Sequence, residues 1–90
     1  MDEKELTKTI KRLLHLSFGD CYDVETYYYF IDDLPYRVEI IFYREFVKKE
    51  YFDKFQMGVE SHLGYFVSNW NIGENEVTLE LLRKGEKENE

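Results

Sequence analysis

Cys21-Tyr22-Asp23-Val24-Glu25-Thr26-Tyr27-Tyr28-Tyr29-Phe30-Ile31, then Asp32-Asp33-Leu34-Pro35, then Tyr36-Arg37-Val38-Glu39-Ile40-Ile41-Phe42-Tyr43-Arg44 is the stretch that decides the fold. Its two flanks are rich in Tyr, Val, Ile and Phe, residues that suit a pleated, half-buried surface. They enclose a cluster of turn formers, so residues 21–31 and 36–44 read as paired strands. Side chains along a strand point alternately to opposite faces. In the first strand the even set is Tyr22, Val24, Thr26, Tyr28 and Phe30, and the odd set is Asp23, Glu25, Tyr27 and Tyr29. In the second strand Val38, Ile40 and Phe42 are even, while Arg37, Glu39, Ile41 and Tyr43 are odd. The even set is the core face. Pairing even with even demands an odd-length loop or a bulge, so a plain four-residue turn over residues 32–35 is not expected.

A helix precedes this hairpin. Asp2 followed three residues later by Glu5 resembles a capping box, and Leu6, Ile10, Leu13, Leu14 and Ser17 keep helical spacing up to a stop at Gly19. Lys4, Lys8, Lys11 and His15 form a basic stripe on its other side, which reads as the wet face of an amphipathic helix. A second helix is expected over residues 46–63, with Phe52, Phe55, Val59 and Leu63 as its apolar stripe and Gly64 as its C-cap. Gly58 is an unfavourable residue in its interior.

Residues 76–82 alternate cleanly as a strand. Residues 65–72 fit two descriptions. Leu63, Phe66 and Trp70 would continue the helix, giving the order α-β-β-α-β. Val67, Ser68, Asn69 and Asn71 are poor helix formers and favour a hairpin partner instead. The hairpin reading, with Gly73-Glu74 as a type II′ turn, sets Trp70 opposite Val77 and Phe66 opposite Leu81. The expected fold is therefore α+β, order α-β-β-α-β-β, with two helices on one face of a small antiparallel sheet. Residues 1–84 form one domain and residues 85–90 a solvated acidic tail.

Composition narrows the function classes. Eight tyrosines and seven phenylalanines in 90 residues can fill a small core. Cys21 is the one cysteine, so no internal disulfide forms, which points to a reducing compartment. The polar, acidic start is unlike a secretory signal, and no apolar run has the length of a membrane span. A cytoplasmic protein is expected, in the host cytoplasm if the source is viral. The net charge of −7 opposes sequence-independent contact with nucleic acid.

That charge is local. From Leu13 to Pro35 the ionised residues are Asp20, Asp23, Glu25, Asp32 and Asp33, and from Phe55 to Leu82 they are Glu60, Glu74, Glu76 and Glu80. A one-signed surface projects a directed field. The candidate surface is the odd face of the first hairpin, where Asp23, Glu25, Tyr27 and Tyr29 lie beside Glu39 and Tyr43. Asp32, Asp33, Glu74 and Glu76 are expected at the hairpin tips. Tyrosines beside carboxylates suit a basic partner, and carboxylates along strands can imitate a row of phosphates. The plain structural reading is that cross-strand aromatics stabilise a sheet and acidic surfaces aid solubility.

Catalytic and metal chemistry have less support. His15, Cys21 and His62 lack any local signature of a thiol–imidazole pair. Asp20, Cys21 and Asp23 with a histidine lack a recognised ligand spacing, and no glycine loop cradles a phosphate. No cofactor is called for. The sequence reading is a non-enzymatic acidic protein that blocks a basic, nucleic-acid-handling partner by occupancy. In size and charge it is similar in type to the inhibitors that phages and viruses direct at host nucleic-acid enzymes, anti-CRISPR proteins among them, without a matched motif. The alternatives are a homodimeric assembly module and a small ligand binder or enzyme.

Overall fold

The computed structural model describes residues 2–85, apart from the Leu34 side chain. The elements follow in the order α1 (Glu3–Phe18), β1 (Tyr22–Ile31), β2 (Leu34–Tyr43), α2 (Lys49–His62), β3 (Tyr65–Ile72) and β4 (Glu76–Arg83). This is the α-β-β-α-β-β order, and the strands form one antiparallel sheet in the spatial order β1-β2-β4-β3. The alternative with a long second helix is corrected: residues 65–72 are a strand. All but Gly85 of the expected tail lies outside the described residues.

Helix α1 starts where Asp2 accepts a hydrogen bond from the Glu5 backbone N–H at 2.9 Å, which satisfies one of the unpaired N–H groups of the first turn. It ends at Gly19, whose φ of 78° lets its N–H close on the His15 carbonyl. Arg44 Nε donates to the Phe18 carbonyl and so ties the end of α1 to the end of β2. Gly58 in α2 faces α1: a Cβ there would stand 2.9 Å from Leu13 Cδ2. The residue that is unfavourable in an isolated helix thus permits close approach of the two helices.

The core fills the space between the helices and the even face of the first hairpin. Val38, Ile40 and Phe42 of β2 and Val77, Leu79 and Leu81 of β4 are completely buried, together with Ile10, Phe55 and Val59 from the helices. Phe18 stands at its centre, edge-on to Phe42 and to Phe52 with ring centroids 5.1 Å apart in each pair. Such edge-to-face pairs are worth about 0.5–1.5 kcal/mol each beyond the area they bury. Helix α1 lies over β1, where Thr7 Oγ1 hydrogen-bonds the Tyr28 hydroxyl, and α2 reaches β3, where Phe52 stacks on Trp70 at 4.3 Å.

Three register shifts adjust this sheet. One spare residue on β2, Tyr36, lies between the pairs Tyr29↔Arg37 and Phe30↔Pro35, which lets even pair with even across the two-residue turn Asp32-Asp33. A second shift follows Tyr22, where Asp23 takes a φ of 54°. A third places Ser68 as an extra residue on β3. The second hairpin differs from expectation. Its turn residues are Glu74-Asn75, closed by the Gly73 N–H donating to the Glu76 carbonyl at 2.7 Å. Trp70 consequently faces Leu79, and Phe66 faces Leu82. Asn75 takes the left-handed conformation (φ 62°), which asparagine tolerates better than most residues, so the turn does not need glycine at its first central position.

Candidate functional site

Both helices pack on the face that carries Val38, Ile40 and Phe42 of β2 and Val77, Leu79 and Leu81 of β4, and among the described residues the opposite face of the sheet has no covering layer. Four cross-strand rows make up that face. They are Tyr22–Tyr43–Glu76, Glu25–Ile41–Thr78–Asn71, Tyr27–Glu39–Glu80–Asn69 and Tyr29–Arg37–Leu82–Phe66, in spatial order from strand to strand. Four glutamates therefore share a surface with four tyrosines, and Arg37 is the one basic residue in these rows.

The rows are chemically uneven. Arg37 Nε forms an ion pair with Glu80, and its guanidinium lies over the Tyr29 ring, 4.6 Å from the centroid. Glu80 also accepts from the Ser68 hydroxyl at 2.7 Å. That hydroxyl, followed by Arg37, holds the Glu80 carboxyl below its ordinary range against the opposing effect of partial burial. Glu39 faces Glu80 directly across the β2–β4 ladder. Like charges in that position repel, and Arg37, paired with Glu80 and on the same side of β2 as Glu39, offsets much of that repulsion. Glu39 accepts from the Tyr29 hydroxyl at 3.2 Å, and Glu25 from the Tyr27 hydroxyl at 2.8 Å. The second bond favours the protonated phenol, so Tyr27 titrates above its usual value. Among the described residues, Glu25, Glu39 and Glu76 make no ion pair. The face retains three carboxylates open to an incoming cation, flanked by Tyr22, Tyr27 and Tyr43, all more than a third exposed.

The structure gathers Glu25, Tyr27, Tyr29, Glu39, Tyr43 and Glu76 onto this face. It does not gather the rest. Asp32 and Asp33 occupy the β1–β2 turn, while Glu74 lies in the β3–β4 turn beside the far end of β2, where the Arg44 N–H donates to the Asn75 carbonyl at 2.8 Å. A ten-residue strand of roughly 30 Å separates the two tips. Asp23 sits in the bulge without a strand partner. Glu80, Tyr22 and Arg37 were not singled out from the sequence. Glu80 was detectable from its parity, opposite to the core residues Val77, Leu79 and Leu81. Tyr22 was not, because the bulge after it moves it to the other face.

The residues weighed for catalysis divide. His15, Asp20 and Cys21 line a depression of about 280 Å³ between the end of α1 and the start of β1, together with Lys11 and Val24. His62 lies elsewhere, across α1 beside Arg12 and Leu16. Burial pushes the Cys21 thiol up to about 11, with Arg44 only partly opposing it, so at neutral pH it is a thiol and not the nucleophilic thiolate. Among the described residues no three His, Cys, Asp or Glu side chains converge as metal ligands, and no helix is long and apolar enough to cross a membrane. No family model, curated protein or solved structure matches the chain.

Proposed function

We propose that this protein is a non-enzymatic binding protein whose open sheet face docks on a basic surface of a nucleic-acid-handling protein and blocks it by occupancy. One observation carries the reading: three carboxylates that make no ion pair among the described residues stand beside exposed tyrosines on a face that the helices leave uncovered. Tyrosine supplies rigid contact area at low entropic cost, and the carboxylates supply the anions that a phosphate-binding groove is built to accept. Electrostatic attraction of this kind chiefly accelerates association and is weakened by salt. An inhibitor of the phage or viral type is the biological setting that suits such a surface.

The test uses two baits, the wild-type protein and Glu25→Lys/Glu39→Lys, challenged with extract of the native host over a NaCl series. The expected result is a basic nucleic-acid-binding protein that the wild type retains at low salt and the variant does not. Equal retention by both baits would sink the proposal. The rival reading, a homodimeric module, draws on the same exposed tyrosines. A monomer at micromolar concentration in sedimentation velocity removes it.

A further inference from the structure

Strand β1 lies at the border of the sheet and has β2 as its one neighbour. Among the described residues no other element pairs with its outer edge. Natural sheets protect such edges with lysine, proline, bulges or short strands. Edge strand β3 follows that practice in part: it has eight residues, is broken near its middle by the shift at Ser68, and places Asn69 and Asn71 on the open face beyond it. In β1 the segment from Glu25 to Ile31 carries no extra residue of its own and contains neither lysine nor proline. It offers a run of about 23 Å to a further strand.

The two flanks of that edge differ in charge. On the open-face side lie Glu25 and, one strand in, Glu39. On the helix side lies the α1 stripe of Lys4, Lys8 and Lys11. Its position is fixed at two points: Thr7 bonds Tyr28, and Lys11 shares a depression with Val24 and Cys21. Lys4, Lys8, Lys11 and Thr7 line a shallow groove along the same helix face, with Glu3 as the one carboxylate at its N-terminal end. Lys4 and Lys8 lie ~6 Å apart along the helix axis and Lys8 and Lys11 ~4.5 Å, while same-side residues of a strand repeat every ~6.7 Å. A strand added at β1 would therefore keep step with the Lys4–Lys8 repeat over two positions, with Lys11 within reach of a third through its flexible side chain. Its alternate residues would meet carboxylates on one side and ammonium groups on the other. A second copy of this chain fits poorly, since pairing β1 with β1 about a two-fold axis brings two lysine stripes face to face.

We propose that β1 is a docking edge for an extended segment of a partner protein in which basic and acidic residues alternate. The segment adds as a fifth strand, with its basic side chains over the open face and its acidic side chains under α1. The inference extends the preceding reading, because it names the border at which the partner enters, and it has its own test.

The probe is a fluorescein-labelled decapeptide alternating lysine and glutamate, with lysine–threonine and glutamate–threonine peptides for comparison, read by anisotropy in 50 mM salt. The lysine and glutamate charges of this peptide cancel and the fluorescein label adds only negative charge, so attraction to the whole acidic molecule does not explain its binding. It is expected to bind and to slow hydrogen exchange at the Glu25–Tyr29 amides. Methylation of its alternate backbone nitrogens, in one of the two phases, should abolish binding. Lys8→Glu/Lys11→Glu should weaken it by about tenfold, as expected for like charges at a contact. Contact through the open face alone predicts the reverse for a basic peptide, because that variant is more negative. Tolerance of both methylation phases, tighter binding to Lys8→Glu/Lys11→Glu, or no binding at millimolar peptide overturns the inference. So does a dimer, seen by sedimentation, that the peptide displaces. Binding of the lysine–threonine peptide that survives methylation but is lost in Glu25→Lys/Glu39→Lys would overturn the edge while leaving the open-face reading intact.

Discussion

Glu39→Gln and Glu80→Gln make the same chemical change at directly opposed positions, and the structure requires opposite effects on stability. Glu39 faces the Glu80 carboxylate, lies on the same side of β2 as Arg37, and is diagonal to Glu25. At ~5 Å in a solvated setting each neighbouring charge contributes ~0.8 kcal/mol, and at the diagonal spacing of ~7 Å about 0.6 kcal/mol. The Glu80 and Arg37 contributions nearly cancel, so the Glu25 repulsion remains. Glutamine at position 39 keeps an oxygen for the Tyr29 hydroxyl, so Glu39→Gln should gain about 0.5 kcal/mol, or ~2–4 °C in Tm for a domain of this size. Glu80 is held by an ion pair and by the Ser68 hydroxyl. Its replacement should lose about 1 kcal/mol, or ~4–8 °C. The assay is thermal unfolding by circular dichroism at neutral pH, in 20 mM and in 1 M NaCl. Salt should erase the gain at position 39, since at 1 M the screening length is ~3 Å. The pH dependence follows from the lowered Glu80 pKa. Its contribution is complete above the unfolded value near 4.5 and fades as pH falls through the lower folded value, so wild type and Glu80→Gln should converge in acid. Two variants shifting Tm in the same direction at low salt would refute the assigned pairing.

Tyr65 is buried and its hydroxyl donates to the Pro35 carbonyl at 2.5 Å, so Tyr65→Phe should cost about 1–2 kcal/mol in urea unfolding with an unchanged m-value. No loss would mean that the carbonyl finds another partner. The raised Cys21 pKa predicts slow modification: at pH 8 the thiolate fraction should be about a hundredfold below that of an unperturbed thiol, and the rate with Ellman's reagent should keep climbing through pH 10. The neutral thiol is the favoured folded form, so its stabilisation is complete below the unfolded value of 9.0 and is lost as pH rises through about 11. A modification rate that levels off near pH 9 contradicts the burial.

Strand parity was the legible part of this chain. Val38, Ile40 and Phe42 are fully buried and alternate with the less buried Arg37, Glu39, Ile41 and Tyr43, which makes the core face of β2 unambiguous, and Val77, Leu79 and Leu81 do the same for β4. The cap at Asp2 and the stop at Gly19 are local devices, and local sequence reveals them. Bulge positions were hidden. Parity demanded one in the first hairpin, but nothing in Tyr36 distinguishes it as the spare residue, and a second after Tyr22 reassigned that tyrosine to the open face. The strand order β1-β2-β4-β3 was equally hidden, because it depends on packing between distant segments. It is that order which sets Glu39 against Glu80 and completes the candidate face.

The three bulges set the rules for changes in chain length. A residue inserted or removed between Glu25 and Tyr29 would turn the tyrosines and carboxylates beyond it toward α1 and expose the residues that now face the core. At Asp23, Tyr36 and Ser68 the ladder already accommodates a spare residue, so deletion there restores regular pairing on one side of the site and inverts it on the other. Variants that differ in length should therefore carry their gaps in the turns at 32–33 and 74–75 or in the segment from Arg44 to Lys48. Within the strands, change should come by substitution, and the outward-facing positions can be rewritten singly without disturbing the residues behind them.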